Sequence, residues 1–433
     1  MDKYTEKYYD QEADTGTYEG DSIEIELRKT IQRQKKTLFR LMEKINRLRI
    51  TCAVLIVLLI IETFLWWGNS GNDTVIPETP TVDTPGETDV TINIPEENIP
   101  DEPQPPKINV DPARIDSIIT TMTLEEKIYQ MIITTPENLT GVPAVTVTGD
   151  TSKAAIEKYP VGGLIYSQKN IENKQQVYDM LSRLQSYSKI KLFLAIEENG
   201  DDAVMTNPEV TVNTVSKSSE LADASAVQNA YGAISDELVS LGFNVNLAPY
   251  ADATDKSSEN FGTDVQVVSE KVKSAVSGLQ KNNVAPALKL FPSSDSSTRT
   301  ATDMKNAEFL AFKAGINAGA DFVIVSCKNS AEGEPFSMSD AYMNKALKTE
   351  LAFGGIVVAD DITAPDVAAK YTQDKAAVKA INSGADMLIC PIGVSNTVNA
   401  ILAAVEAGEI SEKTINDSVK RILGIKLLRS IVK

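Results

Sequence analysis

The chain has 433 residues, 42% of them hydrophobic, with three cysteines, no histidine and a formal net charge of −18. That length leaves room for one large domain with appendages, and the charge disfavours nucleic acid or anionic lipid as a partner of the main body. Three scattered cysteines make no disulfide framework, and without histidine neither a metal site nor a cofactor is predicted.

Residues 1–26 are polar, acidic and tyrosine-rich, the composition of a disordered head. Residues 27–49 form a basic juxtamembrane helix. Leu27, Ile31, Gln34, Leu38, Leu41, Ile45 and Leu48 are spaced alternately four and three, a heptad stripe. That stripe fits a parallel coiled coil, hence a homodimer through this helix; a basic amphipathic helix on anionic lipid fits it too. Residues 50–67 are an apolar run long enough for a transmembrane helix. Glu62 is its only charge, and Trp66 and Trp67 form an aromatic belt at its outer end. Nine Lys/Arg precede the run against the single acid Glu43, so the positive-inside rule keeps that side in the cytoplasm and exports the C-terminal body. A cleaved signal peptide is the other reading of the run. Against it stand the long basic region and the lack of a small-residue cleavage site after the tryptophans. Residues 68–110 hold eight prolines and nine acids against one lysine, which makes an extended, self-repelling linker. Stretched out it spans about 130 Å at about 3.1 Å per residue.

From 111 to 433 apolar runs alternate with amphipathic stretches. Strands are predicted over 128–134, 163–166, 192–196, 244–248, 285–290, 321–326, 355–359 and 386–389. Helices are predicted over 172–186, 224–241, 265–281, 302–318, 340–351 and 372–383, and two more, 396–407 and 411–431, close the chain. Eight strands alternating with helices make an α/β fold, a parallel (β/α)8 TIM-type barrel. Cys327 and Cys390 each end a strand and read as small buried residues.

In such a barrel the chemistry sits at the C-terminal strand ends. Asp360 directly follows Gly-Ile-Val-Val-Ala at 355–359, so its carboxylate is expected at that mouth. The segment 288–298, Leu-Lys-Leu-Phe-Pro-Ser-Ser-Asp-Ser-Ser-Thr, resembles the active-site loop of bacterial β-N-acetylhexosaminidases of glycoside hydrolase family 3. That family's pattern is Lys-His-Phe-Pro-Gly-His-Gly, four residues, then Asp-Ser/Thr-His. Lys289, Phe291 and Pro292 match; Leu290, Ser293, Ser294 and Asp295 replace the first histidine and the Gly-His-Gly. The closing triplet falls on Thr300, Ala301 and Thr302. Further segments match in family order: Met-Thr-Leu-Glu-Glu-Lys-Ile-Tyr-Gln-Met at 122–131, which resembles the family's opening helix, Pro-Val-Gly-Gly-Leu-Ile-Tyr-Ser at 160–167, and Leu-Gly-Phe-Asn-Val-Asn-Leu-Ala-Pro-Tyr-Ala-Asp at 241–252. The stretch from Phe-Ser-Met-Ser at 336–339 through Phe-Gly-Gly-Ile-Val-Val-Ala-Asp-Asp at 353–361, with Gly-Ala-Asp-Met-Leu-Ile-Cys-Pro at 384–391 and Ala-Gly-Glu-Ile-Ser at 407–411, completes the set.

The resemblance implies that Asp360 is the nucleophile of a retaining mechanism and that the acid/base dyad is missing, since Thr300 and Thr302 stand at its positions. Asp295 and Asp303 are the nearby carboxylates that could substitute. It also implies sugar-binding roles for Lys289, for Glu197, where the family has an aspartate, and for Glu259, where it has an arginine; Asp202 replaces a second arginine. Three readings result. The first is a membrane-anchored, exported pseudoenzyme that binds cell-wall glycan or an envelope protein. The second is an active β-N-acetylhexosaminidase with an unusual acid. The third is a non-enzymatic envelope scaffold.

Overall fold

The computed structural model describes residues 110–200, 207–210, 215–253, 259–305 and 307–432. Every described residue belongs to one unit of the chain, Glu96–Lys433. The predicted head, juxtamembrane helix and transmembrane run, and the linker up to residue 109, lie outside the described residues. Among the described residues no helix is long and apolar enough to cross a membrane.

Eight strands close a barrel in sequence order: β1 (Ile132–Thr134), β2 (Gly163–Ile165), β3 (Phe193–Ile196), β4 (Val245–Asn246), β5 (Ala285–Phe291), β6 (Phe322–Val325), β7 (Ile356–Ala359) and β8 (Met387–Ile389). Every neighbouring pair is parallel, and β8 returns to β1 through Ile132↔Leu388 and Ile133↔Ile389. Apolar side chains line the interior. Phe193, Ala195, Val245, Ala287, Phe322, Ile324 and Val358 line it, with Phe193 and Phe322 edge to face at 5.0 Å. Glycine is required at one crossing: a side chain on Gly162, just before β2, would come within 2.0 Å of the Gln130 carbonyl oxygen.

All eight strands fall where the sequence predicts them, three predicted elements differ locally, and the helices Pro112–Ile119, Pro136–Thr140 and Asp150–Lys158 are additional. Only the last part of 128–134 is a strand. Residues 124–130 form a helix, as the resemblance of 122–131 to the family's opening helix implies, started by a capping box in which Thr123 and Glu126 bond each other's backbone amides. A short apolar run fits either element, and the cap decides this one. The helix expected over 302–318 is two helices, Ala301–Met304 and Glu308–Asn317, with the Arg299 side chain bonded to the Asp303 carbonyl before the break and to Glu308 after it. The stretch predicted as 340–351 winds as a π-helix, Ala341–Glu350, with wide turns such as Leu351 N–H to the Ala346 carbonyl at 2.9 Å.

The closing helix, Glu412–Leu428, seals the N-terminal end of the barrel. Asp386, fully buried just before β8, accepts from Lys348 (3.0 Å), Arg421 (2.9 Å), Ser418 (3.0 Å) and the Val357 amide (3.0 Å). Arg429 pairs with buried Asp321, just before β6, at 2.7 Å. Lys426 is fully buried; its ammonium donates to Gln130 at 2.8 Å and lies 4.8 Å from the centre of the Phe193 ring. Burial pushes its pKa down to about 7.

The body expressed from residue 111 is expected to melt in one cooperative step, because its barrel closes on itself. Within it, Lys426 makes stability depend on pH. An unfolded lysine titrates near ~10.4, so between about pH 7 and pH 10 the unfolded chain binds the extra proton and stability rises with pH. Urea melts of the wild type and Lys426→Met across that window are expected to differ by a few kcal/mol at pH 7, on the order of the shift's 1.36 kcal/mol per unit, and to converge near pH 10. A pH-independent difference would mean the ammonium is not desolvated.

Candidate active site

The site is assembled at the opposite end of the barrel. β7 ends at Ala359, and the Asp360 amide still donates to the Val325 carbonyl of β6 at 3.0 Å. The sheet ladder thereby delivers Asp360 to the mouth as predicted, recessed and partly exposed. Burial raises its carboxyl pKa above the ordinary range; the Asp361 amide and the Lys289 charge act against that, and so does the hydrogen bond from the Cys327 thiol. Cys327, just past β6, is held as a neutral thiol, its pKa pushed up to about 12 by burial and then by the Asp360 charge.

Lys289 extends from β5 and is 7% exposed. Its ammonium pairs with Glu197, just past β3, at 2.6 Å, and lies 4.6 Å from the centre of the Tyr250 ring. The backbone sets this meeting. The Lys289 amide donates to the Pro249 carbonyl at 3.1 Å and the Ala251 amide donates to the Lys289 carbonyl at 2.6 Å, so Tyr250 and Lys289 are cross-strand partners. The Tyr250 hydroxyl hydrogen-bonds to Glu259 and Glu197, and burial with these two carboxylates drives its pKa far up. Glu259 therefore stands against Tyr250 in the mouth, with part of its surface exposed. Asp202 lies outside the described residues.

The loop after β5 is tied down along its length. Ser294 donates to buried Asp252 from its amide (3.2 Å) and its hydroxyl (2.6 Å). The Ser297 amide donates to the Asn329 carbonyl at 3.0 Å, and the Asn329 amide donates to the Ser296 hydroxyl at 3.2 Å. Asn329 and Lys328 in turn hold Asp366, beyond β7, at 3.1 and 3.2 Å. Asp295 is partly exposed in this loop, its amide bonded to the Ser293 hydroxyl at 3.2 Å and its charge felt by Lys328.

Thr300 and Thr302 are exposed. Thr300 is the N-cap of helix Ala301–Met304, and Asp303 is the third residue of the same capping box: Thr300 donates to its carboxylate from the amide (3.1 Å) and the hydroxyl (2.7 Å). Those bonds hold the exposed Asp303 carboxyl below its usual range. The structure thus brings Asp360, Lys289, Glu197 and Glu259 to the mouth, and places Asp303 in a helix cap.

Two neighbours of this group, Tyr250 and Cys327, are not among the predicted site residues. Cys327 ends a strand as Asp360 does, and that position was the available signal; only Cys390 is a buried cysteine as expected. Apolar recesses lie elsewhere in the molecule. One lies behind β2, lined by Pro136, Leu139, Ile156, Leu164, Tyr166 and Leu184 among others, and one within the barrel. Neither is lined by Asp360, Lys289 or Glu197. No cluster of His, Cys, Asp and Glu among the described residues is set to hold a metal ion.

A β-hexosaminidase A of Pseudoalteromonas piscicida is 26% identical over 322 residues, 63% of this chain and 54% of that protein. The chain thus spans about half the length of that relative. A family 3 β-N-acetylglucosaminidase from Paenibacillus superposes with a TM-score of 0.65 at 25% identity, covering 72% of this chain and 63% of the other. The β-N-acetylhexosaminidase of Beutenbergia cavernae shares the fold, with a TM-score of 0.61 at 21% identity over 70% of this chain and 98% of its own. Residues 123–425 match the family model described as the glycosyl hydrolase family 3 N terminal domain. With the closed barrel and its mouth, that match makes this chain a member of glycoside hydrolase family 3.

Proposed function

We propose that the protein is a membrane-anchored, exported family 3 domain whose hydrolysis is impaired and whose mouth binds cell-wall glycan. The carrying observation is the contrast between Asp360 and the segment that would supply its partner. Retaining hydrolysis needs a nucleophile and, close by across the bond, an acid with a pKa near the working pH. Asp360 is recessed at the end of β7. Thr300 and Asp303 instead bond each other in an exposed cap, with the Asp303 carboxyl shifted down, away from what an acid needs. Threonine hydroxyls do not donate protons at neutral pH. An active β-N-acetylhexosaminidase is the second reading, and Asp295, in the loop after β5, is the carboxylate it would use. A scaffold that binds an envelope protein is the third, and absence of glycan binding would favour it. Anchoring rests on the apolar run at 50–67, and export on the basic residues at 27–49; the linker at 68–110 would hold the barrel off the membrane.

If the deficit lies in leaving-group protonation, an activated aryl N-acetylglucosaminide, which needs little acid help, is expected to show the residual turnover first. Asp360→Asn is expected to abolish it. Unactivated disaccharides are expected to be cleaved at least ~10²-fold more slowly than by a family member with an intact acid. Efficient cleavage of a chitobiose-type substrate, lost in Asp295→Asn, would establish the active reading instead.

The charge on Asp360 can be followed without turnover. Asp360→Asn removes a negative neighbour that raises the Cys327 pKa, so alkylation of Cys327 at pH 9, followed by peptide mass spectrometry, is expected to quicken several-fold. An unchanged rate would mean the two groups are not in contact.

For topology, external protease on intact cells is expected to remove the barrel and spare the N-terminal head. Protection of the barrel would rule out export.

A further inference from the structure

The backbones of Glu197, Tyr250 and Lys289 are each fixed by the ends of the sheet. The Leu247 amide donates to the Ile196 carbonyl at 2.8 Å and the Glu198 amide to the Asn246 side chain at 3.0 Å, so Glu197 is pinned on both sides. The Ala287 amide donates to the Ala248 carbonyl at 3.2 Å, and the bonds of Lys289 with Pro249 and Ala251 then hold Tyr250 opposite Lys289. The Glu197 side chain is the loose part of this arrangement, long and with 34% of its surface exposed. A carboxylate on such a stem ordinarily samples several rotamers. Here it is held by the Lys289 ammonium at 2.6 Å and by the Tyr250 hydroxyl.

Tyr250 touches both members of that ion pair. The centre of its ring lies 4.6 Å from the ammonium, and its hydroxyl meets the carboxylate. Phenylalanine would keep the first contact and lose the second. We propose that Tyr250 is a positioning residue that holds the Lys289–Glu197 pair in one orientation before a ligand arrives. The mouth then presents a fixed donor beside a fixed acceptor, so one hydroxyl of a sugar ring can donate to Glu197 while its neighbour accepts from Lys289. Less order remains to be imposed on binding, which is how pre-organisation raises affinity. The Lys289 charge also reaches Asp360, so the orientation of the pair bears on that carboxylate too. The proposal rests on the glycan-binding reading above and adds the residue that prepares the site.

Two measurements on the full chain in detergent test this. The first needs no ligand: acylation of Lys289 by acetic anhydride, followed by peptide mass spectrometry, reads how firmly the ammonium is held. Tyr250→Phe and Glu197→Gln are each expected to quicken it several-fold. The double variant is expected to be no faster than Glu197→Gln alone, because the hydroxyl acts through Glu197. Additive effects would overturn the proposal, as would an unchanged rate in a folded Tyr250→Phe. Should that variant fail to melt cooperatively, Glu197→Asp decides: it keeps the charge but draws the carboxylate back from the phenol, and a rate equal to the wild type's would overturn the proposal. The second measurement is calorimetric titration with the trimer of N-acetylglucosamine. Tyr250→Phe is expected to weaken binding by about tenfold, the scale of re-ordering one long side chain, and to add nothing in the Glu197→Gln background. Undiminished binding in Tyr250→Phe would overturn the proposal and leave glycan binding intact. No binding by the wild type would overturn the glycan-binding reading, and the acylation cycle then decides by itself whether Tyr250 holds the pair.

Discussion

The closed parallel ladder is the constraint on which the rest depends. Eight strands hydrogen-bonded in sequence order leave no edge, and all of them point their C-terminal ends the same way. Residues more than 150 positions apart in the chain, such as Glu197 and Asp360, reach one mouth for that reason alone. The ladder works at the level of single bonds. The Asp360 amide continues the pairing of β7 with β6, and the bonds of Lys289 with Pro249 and Ala251 set it opposite Tyr250. Any side chain at these positions would face the mouth, so the fold supplies the place and the residue types supply the chemistry.

Those types make a self-compensated site. In the absence of histidine, the ionisable groups of the mouth are carboxylates, a phenol, a thiol and lysines. Lys289 is bound to Glu197, the Cys327 thiol donates to Asp360, and Lys328 is bound to Asp366. Each contact favours one protonation state. A general acid must instead alternate between two near neutral pH. The serine-rich loop after β5 adds to this, because its bonds to Asp252 and Asn329 hold the segment between Lys289 and Thr300 on the rim.

The barrel was legible in the sequence because buried parallel strands are short apolar runs bounded by turns, and eight of them at helical spacing admit few other folds. Where runs were ambiguous, side chains outside the run decided: Thr123 and Glu126 turned 124–130 into a helix, and the Thr300 cap with Arg299 accompanied the break in 302–318. Asp360 was legible because it directly follows a strand. The Tyr250 platform was not, since a tyrosine in a strand-end motif gives no hint that two carboxylates will converge on its hydroxyl. That convergence depends on loops after β3 and β4 that meet only in space. The same holds for Asp303, whose role as a cap appears only once the chain turns at Thr300.

Stability and chemistry sit at opposite ends of this barrel, and the separation explains how one can persist without the other. The charged groups buried most deeply cluster before the strands: Asp386 with its four donors, Asp321 with Arg429, and Lys426 on Gln130. Removing one partner from such a network leaves a buried charge uncompensated, a loss of about 3–5 kcal/mol. At the mouth, the positions that the family resemblance assigns to the acid dyad are exposed here, and exposed substitutions cost little. A chain can therefore exchange the polar residues of its mouth while the closing helix and the apolar interior still hold the ladder shut. That freedom would let hydrolysis lapse without unfolding the barrel, since changes at the mouth do not touch the groups that keep it closed.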